Sequence, residues 1–87
     1  MQQELLNRTD TRMTEIAEIA ADLFSASVED VVAAESFVDD VEADSLLAIE
    51  LLAQLEKRYA IAISENALPR MVNLRETYAV VAEYAGW

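Results

Sequence analysis

Apolar side chains recur along this chain of 87 residues at the spacing that places them on one face of an α-helix. The first such stripe predicts a helix that ends near Phe24, with Glu15 on the side that faces solvent. This stripe consists of Ile16, Ile19, Ala20 and Leu23. A second helix is predicted from Ser45 to Tyr59, because good helix formers follow an acidic segment there without a Gly or Pro.

The second helix is predicted to present two different faces. The face expected to contact the core consists of Leu47, Leu51, Leu52, Leu55 and Tyr59. Another row is expected to be exposed, and it consists of Leu46, Ile49 and Ala53 together with Glu50 and Glu56. An exposed apolar row bordered by carboxylates is typical of a docking surface. A helix buried on nearly all sides would show the same pattern.

A loop from Ser25 to Asp44 separates these two helices and is long for a compact domain, so we expect it to be functional or to contain structure of its own. A helical turn is expected at residues 27–31. Phe37 and Val38 are expected to be the loop's apolar anchors. Four carboxylates then crowd into six residues, namely Asp39, Asp40, Glu42 and Asp44.

The last third of the chain predicts two more helices. A short third helix is expected from Ser64, with its end before Pro69 because the proline ring clashes with a continuing helical turn. The apolar alternation at residues 59–63 is interpreted as an extended connection, since a lone strand would have no partner. Asn73 is expected to cap a last helix at residues 74–84, with Glu76 completing a capping box. Gly86 is expected to end that helix.

Composition excludes several classes of function. The chain has 17 acidic and 6 basic residues and a formal charge of -11, which disfavours nucleic acid or an anionic membrane as a partner. It has no cysteine and no histidine, so Ser-His and Cys-His nucleophile pairs and the usual zinc ligands are absent from it. We therefore predict no catalytic and no metal-binding residues, and the absence of cysteine favours a cytoplasmic location. No membrane span is predicted, because no apolar run approaches the roughly 18 residues that a span needs.

The chemistry is expected at Asp44 and Ser45. Both residue types are favoured at helix starts, where their side-chain oxygens accept hydrogen bonds from backbone amides, so a helix cap is the simplest interpretation. The wider segment from Ser36 to Leu46, followed by Glu50-Leu51, Leu55-Glu56, Tyr59 and Ile63, resembles the acyl carrier protein family. The resemblance extends from about Thr11 to Tyr84, and Asp44-Ser45-Leu46 matches the family's attachment motif.

The resemblance implies a chemical role for Ser45. This serine would carry a 4'-phosphopantetheine arm in phosphodiester linkage, and the thiol of the arm would hold acyl groups as thioesters. The implied fold is all-α, a small four-helix bundle with a long loop between helices 1 and 2 and a short third helix. Two positions depart from the family pattern. Glu42 replaces a glycine usual in the loop, and Leu47 replaces an aspartate that often follows the motif.

The leading hypothesis is an acyl carrier protein of polyketide or fatty-acid synthesis, with a domain at residues 11–87 after a flexible extension at residues 1–10. The expected partners are a phosphopantetheinyl transferase and acyl-processing enzymes with basic docking surfaces, such as acyltransferases and ketosynthases. A monomer is expected. The predicted partner surface consists of Glu42, Leu46, Leu47, Ile49, Glu50, Ala53 and Glu56. The alternatives are a peptidyl or aminoacyl carrier and an unmodified acidic helical interaction module.

Overall fold

The computed structural model describes the backbone of residues 2–87 and the side chains of residues 11–87. In chain order the helices are α1 (Gln2–Phe24), α2 (Val28–Ala33), α3 (Phe37–Asp40), α4 (Ser45–Tyr59), a 3-10 helix η1 (Glu65–Arg70) and α5 (Leu74–Ala85). No strand occurs in the described backbone, and the predicted all-α class is confirmed. None of the helices in this part of the chain is long and apolar enough to cross a bilayer.

Most helix ends lie where the sequence predicts them. The helix α1 ends at Phe24, α4 begins at Ser45, and Gly86 follows α5 with a φ of 74°. Asn73 caps α5, since its Oδ1 accepts a hydrogen bond from the Glu76 N–H at 2.9 Å. The reciprocal bond of a capping box is not formed among residues 11–87. Instead the Asn73 side chain donates to the Glu35 carbonyl at 3.2 Å and so ties α5 to the loop.

The core lies between α1, α4 and α5, and it contains the side chains that the periodicity selects. Ile16, Leu51, Leu55 and Val81 are fully or almost fully buried. Thr77 is also fully buried, which its polarity did not predict. Its hydroxyl donates to the Asn73 carbonyl at 2.7 Å, and a buried hydroxyl with a partner costs little. The predicted core face of α4 is thus confirmed, with Leu47 and Tyr59 partly buried against it.

Two short helices organise the long loop. The expected turn near residue 28 is confirmed as α2, and α3 was not predicted. Phe37 is 4% exposed, as expected, and its ring lies 5.1 Å from that of Phe24. The prediction for Val38 is wrong, because that side chain is 67% exposed. Both residues lie in α3, where consecutive side chains point in different directions, so only one of the pair can face the core. The fully buried Val31 is the loop's second anchor.

The predicted stop before Pro69 is wrong, because η1 continues through Pro69 to Arg70. The ring of proline clashes with the carbonyl four residues back in an α-helix, and a 3-10 helix follows a different hydrogen-bond pattern that connects residues three apart. Ser64 begins the helix by accepting from the Asn66 N–H at 3.2 Å. The Met71 N–H then donates to the Leu68 carbonyl at 3.0 Å, so the turn closes around the proline.

The seam between α1 and α4 contains polar contacts that correct the prediction for Glu15. This residue does not simply face solvent, since its carboxylate accepts hydrogen bonds from Arg58 and from the Tyr59 hydroxyl, each at 2.9 Å. Burial, together with the hydrogen bond to Glu15, raises the pKa of Tyr59 to about 12. The phenol therefore stays protonated and continues to donate across the seam at any physiological pH.

An aromatic cluster closes the end of the bundle where α4 and α5 terminate. The Trp87 ring lies 5.0 Å from the ring of Tyr59 and 5.6 Å from that of Tyr78. The guanidinium of Arg12 lies 4.1 Å from the Trp87 ring centroid, a cation-π distance. Side chains of α1, α4 and α5 therefore meet around one ring.

The predicted division into an extension of residues 1–10 and a domain of residues 11–87 stays a prediction. The backbone of α1 includes residues 2–10, but the side chains of residues 1–10 lie outside the described part of the chain.

Candidate functional site

Ser45 is the first residue of α4, and Asp44 is its N-cap. The Asp44 Oδ1 accepts a hydrogen bond from the Leu47 N–H at 2.9 Å, and the Asp44 carbonyl accepts from the Ala48 N–H at 3.1 Å. Ser45 is exposed, and its hydroxyl makes no hydrogen bond with residues 11–87. Capping therefore explains Asp44 and does not explain Ser45. The serine hydroxyl is free for other chemistry.

The segment before Ser45 is fixed by a short connection to α3. Ala43 is 3% exposed, and its N–H donates to the Phe37 carbonyl at 3.0 Å. The Phe37 N–H in turn donates to the Val72 carbonyl at 2.7 Å. Since Ala43 faces the core and Asp44 caps the helix, Ser45 is held at the surface on an ordered backbone rather than on a free loop.

The four crowded carboxylates before Ser45 do not all serve the same purpose. Asp44 is the α4 cap, and Asp40 Oδ2 accepts from the N–H groups of Glu35 and Ser36 at 2.8 and 3.2 Å. Asp39 and Glu42 are exposed and make no side-chain hydrogen bond within residues 11–87. Two of the four carboxylates thus stabilise the loop, which offsets part of their mutual repulsion.

Glu42 has a backbone conformation that favours glycine. Its φ is 55°, in the left-handed region, where a Cβ atom is strained. The family resemblance noted in the sequence implies glycine at this loop position, so the presence of Glu42 there has a cost in backbone energy. The strained residue lies three positions before Ser45.

We expect Glu42→Gly to raise the free energy of unfolding by about 0.5 to 1 kcal/mol, because relief of left-handed strain exceeds the added entropy of glycine in the unfolded chain. Urea unfolding followed by circular dichroism measures the change. Glu42→Ala is the matched control, since it removes the carboxylate and keeps the strain. An equal gain in the alanine variant would show that charge and not backbone strain is responsible.

Some residues of the predicted partner surface are exposed, as expected, and others are not. Leu46 is 63% and Ile49 46% exposed, and Glu50 and Ala53 are also exposed, while Leu47 is half-buried. The prediction that Glu56 is an exposed member of this row is wrong. Glu56 is half-buried, and its Oε2 accepts from the Ile63 N–H at 2.9 Å, so it fixes the extended connection after α4.

Lys57 was not included in the sequence prediction, although it is exposed and shares the face of Leu46, Glu50 and Ala53 at helical spacing. Helical spacing from Glu50 would have identified it. Its positive charge ends the acidic part of this face, which is thereby restricted to about the first two turns of α4, next to Ser45.

A cleft of about 330 Å³ opens beside Ser45. Its walls come from α3, α4 and the segment from η1 to α5, and Ser45 itself is part of the lining. The lining also includes Phe37, Ala48, Leu51 and Met71. The sequence did not predict this cleft, because α3 and α4 line it together with Phe24 and with residues 68–72, which are distant along the chain.

Comparisons with known proteins agree with this site. The family profile described as "Phosphopantetheine attachment site" matches residues 14–81. The Polyketide-8 synthase acyl carrier protein 1 of Streptomyces avermitilis is 42% identical over 74 residues, which cover 85% of this chain and 88% of that protein. An acyl carrier protein of Chlamydia muridarum is 33% identical over 69 residues, or 79% of this chain and 90% of that protein.

A solved structure gives the same result. One chain of the structure described as "The ishigamide ketosynthase/chain length factor" superposes with a TM-score of 0.72. It is 41% identical in sequence, and the match covers 87% of this chain and 96% of that chain.

The matches to a phosphopantetheine-attachment family and to acyl carrier proteins over most of the chain define a carrier protein, a class that transports a group and does not catalyse its transformation. The chain belongs to the acyl carrier protein family and is a carrier of the polyketide-synthesis type. Its cofactor is 4'-phosphopantetheine, which is attached covalently. The peptidyl carrier and the unmodified interaction module are not favoured by these matches.

Proposed function

We propose that Ser45 carries the 4'-phosphopantetheine arm, within the motif Asp44-Ser45-Leu46, and delivers thioester-bound polyketide intermediates to partner enzymes. The observation that carries this proposal is the division of roles at the start of α4. Asp44 caps the helix at 2.9 Å from the Leu47 amide, so the exposed Ser45 has no structural task that would explain a serine at this position.

The position of Ser45 suits a phosphodiester. The first amides of α4 lie beside it, and the positive end of the helix dipole stabilises negative charge within the first turn. This effect offsets part of the repulsion from the carboxylate of Asp44, the residue before Ser45. A flexible arm then gives its thioester a high effective concentration in each active site that it can reach, so one small carrier can serve several catalysts.

The test is the intact mass of the purified protein after incubation with coenzyme A and a phosphopantetheinyl transferase. We expect one increment, equal to one phosphopantetheinyl group, and peptide mapping should locate it on Ser45. An unmodified interaction module would show no increment. An increment on any other residue would contradict the assignment of Ser45.

We further propose that partner enzymes dock on the exposed face of α4 next to Ser45. Leu46 and Ile49 supply apolar contact area, and Glu50, with Glu42 from the approach, supplies negative charge for a basic partner. Between Arg12 and Lys57 the sequence contains no Lys or Arg, so the charged side chains of the loop before Ser45 and of α4 up to Glu56 are all acidic. The transferase, acyltransferases and ketosynthases with basic docking surfaces are the proposed partners.

Charge reversal at one residue tests this surface. We expect Glu50→Lys to slow modification of Ser45 about three- to tenfold at low salt, because favourable charge steers encounter between partners. The difference should shrink towards 1 M salt, where the Debye length is about 3 Å. Initial rates of arm transfer, measured by mass spectrometry at several salt concentrations, give the comparison.

Two further variants control the experiment. Glu18→Lys makes the same charge change on the exposed side of α1 and should have a much smaller effect. Leu46→Ala should slow transfer at every salt concentration, because it removes contact area and not charge. Equal effects of Glu18→Lys and Glu50→Lys would contradict docking on α4. Glu56 is not used here, because reversing its charge would also break its hydrogen bond to Ile63.

The expected monomeric state and cytoplasmic location stay predictions. Sedimentation of the carrier before and after loading measures the first of them.

A further inference from the structure

We propose that Asn73 is a positioning residue for arm attachment, because it holds the approach to Ser45, residues 41–44, in the one conformation that the transferase recognises. Asn73 acts through Glu35 and α3 and makes no hydrogen bond to Ser45 itself. The inference rests on the proposed function, since it concerns attachment of the arm to Ser45. It follows from two features of the loop, a hydrogen-bonded clamp on Glu35 and the left-handed backbone of Glu42.

The backbone of Glu35 is held from two sides. The Asn73 Nδ2 donates to the Glu35 carbonyl at 3.2 Å, across 38 positions of sequence. On the other side the Glu35 N–H donates to the Asp40 Oδ2 at 2.8 Å, and the same oxygen accepts from the Ser36 N–H at 3.2 Å. We call Asn73, Glu35 and Asp40 the Glu35 clamp. Ser36 caps α3 and Asp40 ends it, so the clamp ties both ends of α3 to the start of α5.

Capping alone does not explain an asparagine at position 73. The Asn73 Oδ1 accepts from the Glu76 N–H at 2.9 Å, which is the cap of α5. Asp and Ser cap a helix about as well as Asn does, but only the amide of Asn combines a capping oxygen with a separate N–H donor. The half-buried Asn73 uses both ends of this amide. The link to the loop is therefore its second task.

The helix α3 connects the clamp to the segment before Ser45. The Phe37 N–H donates to the carbonyl of Val72, the neighbour of Asn73, at 2.7 Å. The Phe37 carbonyl accepts from the Ala43 N–H at 3.0 Å, and Ala43 is buried. A continuous set of contacts thus leads from the start of α5 through α3 to the approach, two residues before Ser45.

The approach needs this support because Glu42 is strained. Its φ of 55° lies in the left-handed region, which lowers the population of a non-glycine residue by about fivefold or more. A strained residue keeps such a conformation only where its surroundings impose it. A hydrogen bond such as that from Asn73 to Glu35 shifts an equilibrium by about two- to tenfold, which is a comparable amount. The clamp therefore offsets the absence of glycine at position 42.

Loss of the Asn73 donor should let the approach relax in part of the molecules. Only molecules with the native approach are recognised, so the apparent affinity of the transferase falls in proportion to their fraction. The KM for the carrier should rise, while kcat should stay the same because every bound carrier has the native approach. A loss of global stability would change neither constant, since nearly all molecules remain folded in the assay.

The experiment compares two variants at position 73 with one matched control. Asn73→Asp and Asn73→Ser both keep a capping oxygen for α5 and lack the amide that reaches Glu35, the first with added charge and the second without. Asn66→Asp makes the same charge change on an exposed residue of η1 whose side chain has no hydrogen bond within residues 11–87. A phosphopantetheinyl transferase loads the full chain from coenzyme A, and intact mass gives initial rates over a range of carrier concentrations.

We expect both variants at position 73 to raise KM by about twofold or more, up to about tenfold, which is the limit set by one hydrogen bond. Their kcat should remain within about twofold of the parental value, and Asn66→Asp should keep both parental constants. A smaller rise in KM in either variant at position 73 would overturn the inference. An equal rise in Asn66→Asp would also overturn it, because charge alone would then be responsible.

Substitution of Glu42 shows whether Asn73 acts through the strained backbone. The effect of Asn73→Asp on KM is measured again in a Glu42→Ala background, which removes the carboxylate and keeps the strain, and in a Glu42→Gly background, which removes both. The ratio within each background cancels the contribution of the lost carboxylate to docking. We expect the rise in KM to persist with alanine and to fall below about twofold with glycine.

Any other pattern in the two backgrounds would overturn the inference and leave the carrier function intact. A rise of equal size with alanine and glycine would show that the link to Glu35 does not act through the strain at Glu42. Failure of Ser45 to accept an arm in the parent protein would instead overturn the proposed function, and the inference with it.

Discussion

Replacing Ser45 with alanine is expected to abolish arm attachment and to leave the fold intact. The hydroxyl would be the attachment point, so its loss should reduce modification below detection. Asp44 makes the capping hydrogen bond to Leu47, so we expect the free energy of unfolding to change by less than about 0.5 kcal/mol, as for ordinary surface substitutions. Intact mass after treatment with the transferase measures attachment, and urea unfolding measures stability.

Ser64→Ala is expected to have the opposite effects to Ser45→Ala, since it should lower stability and leave arm attachment unchanged. Ser64 caps the 3-10 helix through the Asn66 N–H at 3.2 Å, so this variant should lose about 1 kcal/mol of stability while Ser45 is modified at the parental rate. The pair of variants separates a capping serine from an attachment serine. Modification at Ser36 or Ser64 in the Ser45→Ala protein would contradict the assignment.

Phe37→Ala is expected to destabilise the protein by about 3 to 5 kcal/mol, which is a large share of the 5 to 15 kcal/mol typical of whole domains. Phe37 is 4% exposed and packs on Phe24, and its backbone N–H and carbonyl link the loop to Val72 and Ala43. Removing the ring leaves a cavity where the loop meets the core. Chemical denaturation of the unmodified protein measures the loss.

Val38→Ala is the matched control, because Val38 is the next residue in α3 and is 67% exposed. Its truncation should change stability by no more than about 0.5 kcal/mol. Comparable losses in the two variants would show that the loop is held by α3 as a whole and not by the Phe37 ring.

The three long helices were predictable because each buries one stripe of a regular pattern. Leu51 and Leu55 are buried and Leu46 is exposed for the same geometric reason, which is the angle between residues along a helix. The start of α4 was predictable as well, since an aspartate before a run of helix formers is a local signal. The motif around Ser45 is likewise contiguous, so the sequence alone identified the attachment residue that we propose.

The remaining features depend on contacts between distant parts of the chain. Whether Phe37 or Val38 faces the core depends on how α3 is oriented by the hydrogen bond from Phe37 to Val72, 35 positions further along the sequence. Glu15 and Glu56 looked like surface carboxylates because their partners, Tyr59 and the Ile63 amide, are brought to them only by folding. The cleft has the same origin, since no single segment contains it.

The cluster around Trp87 gives the protein an internal optical reporter. Trp87 is the only tryptophan of the chain, and its indole contacts Arg12 of α1, Tyr59 of α4 and Tyr78 of α5. Ser45 and Tyr59 are separated by about 21 Å along α4, at 1.5 Å per residue. Indole fluorescence should therefore follow the separation of the three long helices and stay constant when the arm or its cargo changes. Stability can thus be compared between unloaded and loaded carriers without attaching a dye.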